Sequence, residues 1–116
     1  MTSQEQTSAS AVDKEAFFDK VVWITGASSG IGEGMVKAFA ALGSKVVLSA
    51  RSTTELNRVQ DECVAAGASS DRLLVLPLDI IDFAAMPAAM QTVIDTFSGI
   101  DALINNAGLG GRDVGV

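Results

Sequence analysis

The chain has 116 residues, 48% hydrophobic and 19% charged, which suits one globular domain, and no apolar run approaches the ~18 residues of a membrane-spanning helix. Its 14 acidic and 8 basic residues leave a net charge of −6, which disfavours nucleic acid and anionic lipid as partners. A single cysteine, Cys63, and the absence of histidine exclude an intrachain disulfide and leave zinc without its usual ligands, so no metal site is expected and a reducing compartment is the default.

Residues 1 to 20, rich in Ser, Thr, Gln and charge, are expected to form a mostly disordered tail without the apolar core of a signal peptide, and the folded unit is expected over 21 to 116. A first strand is predicted at 21 to 25. The run Thr25-Gly26-Ala27-Ser28-Ser29-Gly30-Ile31-Gly32 joins it to a helix over 30 to 42 that aligns Ile31, Met35, Phe39 and Leu42. A glycine turn between strand and helix suits a phosphate group: glycine permits the sharp turn and a close backbone approach, and the helix start presents unpaired amides and a positive dipole end. Gly26, Ser28, Ser29, Gly30, Ile31 and Gly32 are the candidate contacts. A tight connection that binds nothing is the plainer alternative.

A second strand is predicted at 45 to 50, followed by a helix over 53 to 66 whose inward side carries Leu56, Val59 and Cys63. Cys63 is thereby expected to pack and not to react. A third strand at 73 to 78 leads to a helix over 84 to 98, with Pro87 in its first turn and Met86, Met90, Val93, Ile94 and Phe97 on one side. Gly43, Gly67 and Gly99 are expected to end the three helices, and a fourth strand is predicted at 101 to 105. Right-handed crossovers make such units an α/β doubly wound parallel sheet in the strand order 3-2-1-4, the N-terminal half of a Rossmann fold.

The glycine run lacks the Gly-Lys-Ser/Thr ending of a nucleoside-triphosphate loop, departs from G-x-G-x-x-G, and reads instead T-G-x-x-x-G-x-G. With Leu78-Asp79-Ile80 and Asn105-Asn106-Ala107-Gly108 following in order, the stretch from about Val21 to Gly108 resembles the short-chain dehydrogenase/reductase family. Within it, Trp23, Ser49-Ala50-Arg51 and Val75-Leu76-Pro77-Leu78-Asp79 resemble the dehydrogenase/reductase member 7 group. The resemblance implies a nicotinamide dinucleotide and hydride transfer between its nicotinamide and a carbonyl or alcohol carbon. It also implies that Asp79 bonds the adenine amino group with Ile80 against the ring, that Asn105 lies near the cofactor ribose, and that Ala107 and Gly108 let the backbone pass close by. A turn or capping carboxylate is the alternative for Asp79, and the asparagine amides are equally suited to bridging strand ends.

About twenty residues after the first glycine, an acid would bind the free adenosine ribose of NAD, and Ala50 stands there. Without that carboxylate there is no repulsion against a 2′-phosphate, and Arg51 adds a planar donor fork, so the expected cofactor is NADP(H). Ser29 and Ser52 either add neutral hydrogen bonds or cap helices.

In the family a catalytic Ser, a Tyr-x-x-x-Lys motif and a further Asn follow the fourth strand, whereas this sequence has no Tyr anywhere and no Ser or Lys after Gly108. No residue is therefore assigned as catalytic. The expectation is the NADP(H)-binding half of an oxidoreductase, inactive alone, with the remainder of the sheet or a protein partner along the fourth strand. The competing reading is a nucleotide-responsive binding or regulatory protein that completes its sheet with another chain. Members of the member 7 group usually carry an apolar N-terminal anchor, which this tail lacks, and a cytoplasmic location is expected.

Overall fold

The structure, a computed structural model, describes residues 16–106. Four strands and three helices alternate: β1 (Val21–Thr25), α1 (Gly30–Ala41), β2 (Lys45–Ser49), α2 (Thr53–Ala65), β3 (Leu73–Val75), α3 (Met86–Phe97) and β4 (Ala102–Asn105). Single 3₁₀ turns at Ser70–Arg72 and Phe83–Ala85 precede β3 and α3. All strand pairs are parallel and the order is β3-β2-β1-β4, the expected 3-2-1-4 arrangement. None of the described helices is long and apolar enough to cross a membrane.

Helices cover both faces of the sheet, which is why β1 is apolar from Val21 to Ile24 and buried at all five positions, Thr25 included. Period-two alternation then divides the core. Val22, Ile24, Val46 and Leu48 pack with Val36 of α1 and with Leu56, Val59 and Cys63 of α2. On the other face, Val21, Trp23 and Val47 meet Ala89, Val93 and Phe97 of α3. Trp23 is wholly buried, and its indole Nε1 donates to Ser49 Oγ at 2.8 Å, satisfying both groups inside the core. Cys63 is buried as expected, and desolvation raises its thiol pKa, which suppresses thiolate chemistry.

Several boundaries and faces differ from the sequence expectation. β3 ends at Val75 and not at 78, because Pro77 has no N–H; the flanking amides of Leu76 and Leu78 still donate to Leu48 O and Ala50 O, at 2.9 Å each. In α1 the seam runs through Gly32 and Val36, with Met35 and Phe39 alongside, and Ile31 is 74% exposed. Likewise α3 buries Ala89, Val93 and Phe97, while Met90 and Ile94 face outward. Part of each expected stripe does pack on the core, Met35 and Phe39 in α1 and Met86, Val93 and Phe97 in α3, while Ile31, Met90 and Ile94 each lie one residue off the seam. Gly43 and Gly67 follow α1 and α2 with positive φ, but α3 is closed by Ser98 at φ 73°, one position before Gly99.

Of the expected N-terminal tail, residues 1 to 15 lie outside the described residues. Phe17, just beyond them, packs edge-on against Phe39 with ring centroids 5.1 Å apart, and its carbonyl accepts from Ser44 Oγ. Arg72 holds Asp19 and Gly43 O and lies over the Phe18 ring. The ordered unit thus includes residues preceding β1.

Candidate functional site

The carboxyl ends of the four strands bring the β1–α1 turn, the end of β2, the segment after β3 and the end of β4 to one edge of the sheet. In the turn, Gly26 and Gly30 have φ of 66° and 56°, a left-handed backbone that L side chains adopt only with strain. Gly32 is needed for a different reason. A Cβ there would overlap the Gly26 carbonyl and stand 2.9 Å from Asn106 Nδ2, so α1 starts directly against the turn only because this position has no side chain. By contrast, a Cβ on Gly30 or Gly34 would meet nothing within 4 Å.

Ser29 precedes α1 with extended backbone and makes no side-chain cap bond. The first backbone bond into the helix is Glu33 N to Ser29 O, at 3.4 Å, and the amides of Gly30, Ile31 and Gly32 have no backbone acceptor among the described residues. Ile31, outside the core, borders these amides. The turn itself is anchored by Ala27 N to Ser49 O, at 3.0 Å. Such a group of outward N–H donors at the positive end of a helix fits an anionic diphosphate.

At the end of β2, Ala50 is partly buried and Arg51 is exposed, with no ion pair to any described residue. Ser52 caps α2 by accepting from Glu55 N at 3.2 Å. Of the two serines, Ser52 therefore caps a helix and Ser29 does not. Asp79 Oδ1 accepts from Ile81 N at 3.2 Å, the turn role foreseen as its alternative; its second carboxylate oxygen is not used in that bond. Ile80 is partly buried beside it.

The asparagines tie β4 to β1. Thr25 Oγ1 donates to Asn105 Oδ1 at 2.8 Å, and Asn106 Nδ2 donates to Gly26 O at 3.3 Å. Asn106 thus reaches the glycine turn itself, although the sequence reading placed only Asn105, Ala107 and Gly108 among the cofactor contacts. Ala107 and Gly108 lie outside the described residues.

A charge network missing from the sequence reading borders the turn. Arg58 of α2 holds Glu33 through both terminal nitrogens, at 2.9 and 3.2 Å, and reaches Glu55, Glu62 and the Ser28 carbonyl. Lys37 bridges Glu33 and Glu62. Hydrogen bonds from Arg58, then from Lys37, lower the Glu33 pKa to about 2, and the same two cations lower that of Glu62. The i, i+3 and i, i+4 pairs of Arg58 with Glu55 and Glu62 follow from helical spacing, whereas its contacts to Ser28 and Glu33 depend on how α1 and α2 pack.

Comparison with known proteins gives a concordant picture. The family model described as short chain dehydrogenase matches residues 20–115. Dehydrogenase/reductase SDR family member 7 of Homo sapiens is 45% identical over 97 residues, which cover 83% of this chain and 29% of that protein. This chain therefore spans less than a third of that relative's length. A metagenomic short-chain oxidoreductase solved in complex with NADP superposes with a TM-score of 0.74 at 35% identity, over 82% of this chain and 42% of its own. A short-chain dehydrogenase/reductase from Burkholderia phymatum, solved in complex with NAD, gives 0.68 at 32% identity, over 75% and 30% of the two chains.

Proposed function

The chain belongs to the short-chain dehydrogenase/reductase family of oxidoreductases, and from that premise we propose that it forms the NADP(H)-binding portion of one. The family uses nicotinamide dinucleotides, and its solved members include both NADP and NAD complexes. In this reading the amides of Gly30, Ile31 and Gly32 bind the diphosphate, helped by Ser28 and Ser29, with Gly26 shaping the turn. Arg51 and Ser52 bind the adenosine 2′-phosphate, the serine hydroxyl donating while its oxygen caps α2. Asp79 and Ile80 hold the adenine, and Asn105, Ala107 and Gly108 border the ribose. When bound, the cofactor supplies hydride for exchange with a carbonyl or alcohol carbon. The residues of this chain orient it and exclude water from its phosphates; with no Tyr or His in the sequence, none is assigned as the proton donor.

The observation that carries the preference for NADP(H) is an exposed Arg51, without an ion pair to any described residue, beside an alanine where NAD binding calls for a carboxylate. Calorimetric titration of the chain and of Arg51→Glu with NADPH and NADH tests it. A charge-assisted contact is worth roughly 1.5–3 kcal/mol, so the substitution is expected to shift the NADPH:NADH affinity ratio towards NADH by about tenfold or more. An unchanged ratio would reject the assignment.

A further inference from the structure

Two side chains reach the glycine turn from outside, Asn106 from the end of β4 and Arg58 from α2, and Arg58 alone also grips the start of α1. Arg58 Nη2 donates to the Ser28 carbonyl at 3.2 Å and to Glu33 Oε1 at 2.9 Å, while Nη1 donates to Glu33 Oε2 at 3.2 Å. Ser28 lies two residues before α1, and Glu33 lies in its first turn. A single planar guanidinium therefore grips both sides of the segment that carries the free amides of Gly30, Ile31 and Gly32. Its remaining donors lock it to its own helix, Nε to Glu55 at 2.9 Å and Nη1 to Glu62 at 3.0 Å. The N-terminus of that helix follows Arg51 directly, with only the capping Ser52 between them.

Charge adds a second argument. Glu33 is an anion in the first turn of the helix whose positive end would receive the diphosphate, and alone it would repel that ligand. Arg58 and Lys37 neutralise it. With three carboxylates around it, the Arg58 guanidinium is also fully engaged, in contrast to Arg51. The pairs with Glu55 and Glu62 are exposed and contribute little to stability, whereas the contacts to Glu33 and the Ser28 carbonyl are part-buried, so the effect of Arg58 is geometric and local to the turn.

From these contacts, and resting on the dinucleotide-binding reading above, we propose that Arg58 is a positioning residue: it fixes the turn that presents the diphosphate amides, the part of the site that NADPH and NADH share. It touches no part of the dinucleotide.

Two readouts test this on the whole chain and on Arg58→Met, Arg58→Lys and the Arg58→Met/Glu33→Gln double variant. In calorimetry, Arg58→Met is expected to weaken NADPH and NADH binding by the same factor, roughly tenfold as for one lost charge-assisted hydrogen bond, leaving their ratio unchanged. Arg58→Lys is expected to fall between the two, and the added Glu33→Gln to recover part of the loss. In ligand-free amide hydrogen exchange, Arg58→Met is expected to accelerate Ala27 and Glu33, whose amides donate to Ser49 O and Ser29 O, while Trp23 and Val47 in the sheet keep their protection. A folded Arg58→Met with parental affinity and exchange would overturn the proposal, and so would a loss confined to NADPH. Should Arg58→Met fail to fold, Arg58→Lys decides on the same two readouts, a parental result again overturning it. If the parent chain binds neither dinucleotide, the functional reading fails, while the exchange comparison still decides whether Arg58 holds the turn.

Discussion

Three glycines in one short segment show how different physical demands select the same residue. Gly32 is excluded from carrying a side chain by the Gly26 carbonyl, Gly30 by its φ of 56°, and Gly34 by neither. Alanine is therefore expected to have three distinct effects: at position 32 a loss of about 2 kcal/mol or more from overpacking, at position 30 a loss of about 1–2 kcal/mol, and at position 34 a gain of about 1 kcal/mol. Thermal unfolding of the three variants, read against the parent, checks the order. The spacing of the motif marked Gly26, Gly30 and Gly32 in the sequence, but nothing there distinguished Gly32 from its neighbours; that required the turn and the helix start to be seen in contact. Ser52 and Asp79 were ambiguous for a related reason, since a cap or turn role and a ligand role use the same oxygen atoms. Glu33 was not legible at all, because the cations that hold it include one from another helix. Its carboxyl pKa is lowered from 4.5 to about 2 by Arg58 first and Lys37 second. A depressed folded-state value means that the contribution of Glu33 is complete above about pH 4.5 and disappears as the pH falls towards 2. The midpoint of thermal unfolding is accordingly expected to drop more steeply over that window in the parent than in Glu33→Gln; parallel curves would contradict the assignment.

At the scale of elements, strands were easier to read than helix faces. Four of the five residues of Val21–Thr25 are apolar in an unbroken run, and such a run must be covered on both faces wherever it lies. Helix faces depend on rotation: one residue of phase moved Ile31 from the core to the surface and left Met90 and Ile94 outside. The exposed Ile31 is better placed beside the helix amides than in the core stripe expected of it. Among the described residues β4 is an edge strand, and Leu103, level with Trp23 in the register, is 52% exposed. An open parallel edge carrying an apolar side chain recruits another strand. Light scattering of the chain over a concentration series is expected to show self-association that Leu103→Lys reduces; an association state that this substitution leaves unaltered would show that the edge is not its cause.

For the whole molecule, topology follows from a few rules applied to the order of elements. Alternating strands and helices with right-handed crossovers leave few arrangements, and 3-2-1-4 is the one observed. That topology gathers residues from positions 26 to 32, 51 to 52, 79 to 80 and 105 to 106 at the same end of the sheet, which explains how separate motifs in the sequence describe a single site. What the order of elements does not reveal is how the helices brace that site from the side, as Arg58 does across α1 and α2. The central claim, that this edge binds a nicotinamide dinucleotide, is tested most directly by backbone amide chemical shifts recorded during titration with NADPH. The account predicts saturable shifts concentrated at Ser28 to Gly32, Arg51, Ser52, Asp79 and Ile80. Shifts absent at millimolar NADPH, or confined to the groove that Lys37, Ala40, Glu62 and Ala66 line between α1 and α2, would contradict it.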